Sequence, residues 1–121
     1  MRKYAYLKEP IKCNQKDYIY KIMLHTQKDG VALYEYCSLN AIRCSFDLFY
    51  DSIEEVYEDW DHEIDEGGWI EIDDPLLDCQ DDAFLPIQVK GRDTGELEWS
   101  KYEILKDGQW IDYRLEDPLS P

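Results

Sequence analysis

From Asp17 to Thr26 the side chains alternate. Tyr18, Tyr20, Ile22 and Leu24 fall on one side of an extended chain, and Ile19, Lys21, Met23 and His25 on the other. This period of two, with one clearly apolar face, predicts a strand. Lys28-Asp29-Gly30 follows. A return strand then runs from Val31 to Ser38, with Tyr34 and Tyr36 on one face and Leu33 and Cys37 on the other. Asp-Gly between two alternating runs is a strong hairpin signal, and a tight hairpin makes its strands antiparallel. The rest of the chain must extend this sheet or cover it.

Ile42 to Phe49 reads as a third strand, with Phe46 and Leu48 on one face. It leads into a helix start, where Ser52 and Glu55 form a capping box. Ile53, Val56, Tyr57, Trp60 and Ile64 make one apolar helical stripe. The opposite face carries Glu54, Glu55, Glu58, Asp59, Asp61, Glu63 and Asp65. Acidic residues in the first turn suit the positive helix end, whereas Asp65 and Glu66 oppose the dipole at the other. That end is therefore expected to fray before Gly67-Gly68 stops it.

Trp69 to Ile72 predicts a short strand and Asp73 to Asp82 an Asp-rich loop. Phe84 to Lys90 predicts another strand, placed at an edge or bulge by Pro86. A turn at Gly91-Arg92-Asp93-Thr94-Gly95 precedes a last hairpin, Trp99–Leu105 with Gln109–Tyr113, around Lys106-Asp107-Gly108. Residues 114–121 are expected to form a loose tail. The reading is one α+β domain over residues 1–121. It is a curved antiparallel sheet of about six strands with one amphipathic helix packed on one face.

Charge is distributed very unevenly. Between Asp51 and Val89 stand fifteen Asp and Glu residues and no Lys or Arg, which matches the net charge of −15. The flanking regions cancel, +3 against −3. Such a field favours a cationic partner and repels nucleic acid and anionic membrane. An aromatic fraction of 14% argues for a folded domain rather than an acidic disordered tail. No apolar run approaches the roughly 20 residues of a membrane span. Lys8 and Glu9 interrupt any apolar core of a signal peptide. A cytoplasmic location follows as the expectation, with Cys13, Cys37, Cys44 and Cys79 as reduced thiols. Their spacing contains no CxxC pair, so no zinc and no other cofactor is expected.

Catalytic signals are thin. No G-x-S-x-G, P-loop, GxGxxG or HExxH string occurs. His62 sits among carboxylates that favour its imidazolium form, a poor base. The loop does not match a calcium-binding pattern. Asp59-Trp60-Asp61-His62-Glu63 comes closest and has Ile64 where glycine is needed. Trp69, Trp99 and Trp110 are expected to fill the core. The chain is therefore not expected to be an enzyme.

The run from Phe46 to Glu55 resembles a segment of small uncharacterised acidic bacterial proteins. Trp69 to Asp82 and Pro86 to Arg92 do the same, and the likeness falls within the stretch from Phe46 to Trp110, about half the chain. The resemblance implies a bacterial cytoplasmic origin and no catalytic residue. In size and charge the chain is also similar to immunity proteins that neutralise cationic bacterial toxins.

The expected function is binding of a basic protein. The helix carboxylates Glu54, Glu55, Glu58, Asp59, Asp61 and Glu63 would make one part of the surface. The loop carboxylates Asp73, Asp74, Asp78, Asp81 and Asp82 would make the other. A solvated face that merely keeps the protein in solution is the plainer alternative. Two further readings are a small-ligand or metal-binding domain on a concave aromatic sheet face, and a homo-oligomer paired through Phe84–Lys90.

Overall fold

The computed structural model describes residues 1–92 and 94–114. Asp93, in the expected 91–95 turn, and the tail beyond Arg114 lie outside the described residues. The first element is a strand that the sequence does not announce. β1 (Arg2–Lys12) carries charged residues on both sides and Pro10 near its end, so no apolar period marks it. Its register with the next strand slips between Tyr6 and Ile11, around the proline that cannot donate to a ladder.

β2 (Tyr18–Gln27) and β3 (Gly30–Tyr36) form the expected hairpin. Gln27 pairs with Gly30, which leaves Lys28-Asp29 as a two-residue turn. A Cβ on Gly30 would stand 2.7 Å from the Phe49 ring, so only glycine lets the next strand lie this close. That strand is β4 (Phe46–Tyr50), shorter than expected because residues 39–45 are irregular.

Helix α1 (Ile53–Trp60) follows, and Ser52 Oγ accepts from the Glu55 amide at 3.3 Å. A 3-10 turn takes over at Asp61–Glu63, and Ile64 is already extended. The last turn of α1 holds no basic residue, so no side-chain cation offsets the negative end of the helix dipole there.

β5 (Ile70–Ile72), β6 (Ile87–Val89), β7 (Tyr102–Lys106) and β8 (Gln109–Tyr113) complete the chain. Asp107 and Gly108 both have positive φ, 53° and 79°, which suits the tight turn of the last hairpin.

The architecture is α+β, but not a single sheet of about six strands. Eight strands form two antiparallel sheets, one of order β4-β3-β2-β1-β5 and one of order β6-β7-β8. The larger sheet is covered on both faces. On one, Val56, Trp60 and Ile64 pack against Ala5, Leu7, Ile22, Leu24, Val31 and Leu33. This is the stripe the sequence assigns to the helix. On the other, Met23, Ala32, Tyr34 and Tyr36 receive Phe84, Ala41 and Cys44 from irregular segments. A third cluster, Ala83, Ile87, Ile104 and Tyr113 with Ile42, joins those segments to the small sheet. β2 is buried on both faces for this reason, although its sequence shows only one clearly apolar face.

Candidate functional site

The carboxylates of α1 divide into two groups. Asp59 accepts from the Tyr50 hydroxyl at 3.0 Å, and that oxygen accepts from Trp60 Nε1 at 3.0 Å. Asp61 accepts from Trp69 Nε1 at 2.8 Å. Glu63 lies 3.2 Å from its neighbour His62. Asp59 and Asp61 thus tie the end of the helix to its surroundings, whereas Glu63 meets a neighbour in its own turn. Glu54, Glu55 and Glu58 are exposed and make no ion pair among the described residues. Lys3 reaches the helix at Tyr57, 3.4 Å from its hydroxyl and 6.0 Å from its ring centre.

β4 lies beside this helix at the outer edge of the larger sheet. Leu48 pairs with Leu33 and Phe46 with Glu35, so both point to the helix side of the sheet. The helix does not reach them. Phe46 is 37% exposed and Leu48 46%, while Phe49, on the far side, is 55% exposed. From Phe46 to Asp61 the chain holds seven acidic residues and no Lys or Arg. The nearest Lys or Arg in sequence, Arg43, is turned toward Asp82, 3.5 Å away.

The Asp-rich loop is held on the other face of the sheet by a cation the sequence does not single out. Arg2, 6% exposed, donates from Nε to the Asp73 carbonyl at 2.8 Å and from a terminal nitrogen to the carbonyls of Asp81 (3.0 Å) and Ala83 (2.9 Å). These are backbone acceptors, so no spacing of acidic residues could reveal them.

Asp82 is not a surface carboxylate. It is 5% exposed, accepts from the Cys44 amide at 2.8 Å, and its carbonyl receives the Tyr36 hydroxyl. Asp81 lies 3.5 Å from His25 Nδ1, and Asp78 lies 3.7 Å from Arg92. Asp73 and Asp74 remain exposed. The Met1 amino group, 3.0 Å away, holds the Asp74 carboxyl below its ordinary range through a direct hydrogen bond. The helix and loop carboxylates thus cover opposite faces of one sheet, not one continuous face.

Two clefts open on the loop side. One, of about 420 Å³, is lined by Tyr34, Arg43, Cys44, Asp47, Cys79 and Asp82, among others. Burial, and then the nearby Asp82 carboxylate, push the Cys44 thiol far up, which leaves it protonated and unreactive. The other, of about 440 Å³, includes Arg2, Tyr4, Lys21 and Phe84. Lys21 is 4% exposed. It donates to the Leu39 carbonyl at 2.8 Å and sits over the rings of Phe84 (4.0 Å) and Tyr36 (5.3 Å). Burial lowers its pKa to about 8. Its place inside an apolar alternation is the one sequence signal of this site.

Among the described residues, no three His, Cys, Asp or Glu side chains come together so as to hold a metal ion. No described helix is long and apolar enough to cross a membrane. No family model, curated protein or solved structure matches the chain.

Proposed function

We propose that this is a protein-binding domain that engages a basic partner across α1 and the adjoining edge of β4. The observation that carries the reading is the meeting of two unsatisfied surfaces. Glu54, Glu55 and Glu58 have no cation opposite them among the described residues, and Phe46 and Leu48 beside them are uncovered. Carboxylates speed encounter with a cationic partner, and desolvated apolar side chains supply affinity once it has docked. Seven acidic residues in so short a stretch also repel one another, a cost that a bound cation would relieve. Asp73 and Asp74, on the other side, contribute to the long-range field. Neutralising a cationic toxin, as the immunity proteins do, is one form this function would take in a bacterial cytoplasm. On this reading the domain binds and does not catalyse.

The test is capture of partners by the tagged protein from native lysate at low and high salt. The informative variant replaces Glu54, Glu55 and Glu58 together by Gln, because Asp59 and Asp61 also hold tyrosine and tryptophan donors. A basic protein retained at low salt, released at high salt and lost from the triple variant is the expected result. A partner retained equally by the variant overturns the assignment of the site.

The cleft holding Cys44 and Cys79 supports a second reading, a domain that binds a small polar ligand. The raised Cys44 thiol fits binding there better than covalent chemistry. Ligand-observed screening with Tyr34→Ala as the control separates the two readings.

A further inference from the structure

Resting on the reading above, we infer that the basic partner docks as an extended strand added to the open edge of β4. The hydrogen bonds of the sheet would then extend into the partner. β4 pairs with β3 over five consecutive residues without a slip in register. Among the described residues, Phe46–Tyr50 make no backbone hydrogen bond beyond that pairing. Its outward amides and carbonyls are therefore a template for a further strand. β4 contains no proline, no lysine and no bulge, and Asp47 is its one charged side chain.

The other edges serve less well. β6, the core of the predicted Phe84–Lys90 pairing strand, has its Ile87 and Val89 carbonyls taken by the amides of Gln80 (2.9 Å) and Arg92 (3.3 Å). Ile87 and Gln88 are also buried. β5 has only three residues. β8 has five, but it belongs to the smaller sheet and not to the one that α1 covers, so the helix carboxylates do not adjoin it.

Charge selects the occupant. Phe46 and Leu48 would receive apolar side chains on the helix side. Asp47 on the other side would receive a cation, and a basic residue at the segment's end would meet Asp51 and the helix-side carboxylates of α1. A segment alternating basic and apolar residues over roughly 17 Å matches the length of β4 at about 3.4 Å per residue. A second copy of this chain matches poorly, because strand pairing would bring two acidic helices into one neighbourhood.

The experiment uses the whole chain, labelled for amide NMR and hydrogen exchange, with a capped octapeptide of alternating Lys and Val. The comparator is the same peptide N-methylated at every amide, which keeps charge and side chains but leaves neither edge with an N–H to donate to a ladder. At low salt the first peptide is expected to slow exchange of outward β4 amides at least tenfold, and the methylated one to leave them unchanged. Equal binding of both peptides without β4 protection overturns strand addition while leaving the acidic-face reading intact. Binding of neither also overturns it, and the capture experiment then judges the acidic face separately. Protection of β4 that rises with protein concentration alone makes a second copy the occupant and refutes the inference.

Discussion

Lys21 gives the sharpest energetic test of the fold. The residue is 4% exposed, and its ammonium makes no ion pair with a carboxylate among the described residues. Burial brings its pKa from the ordinary 10.5 to about 8. The folded protein then sheds this proton near pH 8, while the unfolded chain keeps it until pH 10.5. The unfolded state binds more protons in that window, so stability rises with pH there. One proton's difference between the two states is worth about 1.4 kcal/mol for each step of one in pH, so the gain from pH 7 to pH 9.5 is about 2 kcal/mol.

Cys44, Tyr34 and Tyr36 pull the other way. Burial raises all three, so each begins to cost stability once its unfolded counterpart ionises, near pH 9 for the thiol and pH 10 for the phenols. Their contribution cancels when the protein is compared with Lys21→Met, which keeps the apolar stem. Urea unfolding followed by tryptophan fluorescence at pH 7, 8, 9 and 9.5 measures the difference. The stability of the parent minus that of the variant is expected to climb by about 2 kcal/mol across the range, with m unchanged. Parallel curves would refute the argument that Lys21 is desolvated without a compensating carboxylate.

Other expectations follow from single contacts. Arg2→Met removes the donors to Asp73, Asp81 and Ala83; it should cost about 3 kcal/mol or more and abolish exchange protection of the Phe84 amide, and an unchanged amide would show the loop is held otherwise. Trp60→Ala, at a side chain 9% exposed and bonded to Tyr50, should cost about 3–5 kcal/mol in chemical denaturation, and a loss under about 1 kcal/mol would contradict the packing of α1. Ser52→Ala should cost about 1 kcal/mol through loss of the cap, seen in the same assay. His25 is lowered from 6.5, chiefly by burial, so its contribution is complete above pH 6.5 and fades as pH falls below it. Thermal unfolding between pH 7 and 5.5 should show a shallower decline in His25→Gln than in the parent, and equal slopes would count against this role.

Local signals carried much of the larger sheet. The Tyr18–Tyr36 hairpin, the Ser52 cap and the stripe Val56, Trp60, Ile64 all depend on neighbours in sequence, and period, turn chemistry and capping encode them directly. β1 was illegible because a strand between two others needs no apolar alternation when its polar side chains reach distant partners, as Arg2 does. The division into two sheets was equally hidden. It rests on Ile42, Ala83 and Phe84, which lie in short irregular segments where apolar residues follow one another without a period.

The acidic surface shows where the two kinds of information part. Composition alone determines that the middle of this chain is strongly negative, because charge is a sum over residues and does not depend on how they fold. Which carboxylates face a partner is a matter of position. Only the tertiary structure buries Asp82 beneath Cys44 and Arg43, ties Asp61 to Trp69, and leaves Glu54, Glu55 and Glu58 open beside an uncovered strand edge. Burial and pairing join residues far apart in sequence, and no local pattern constrains those distances.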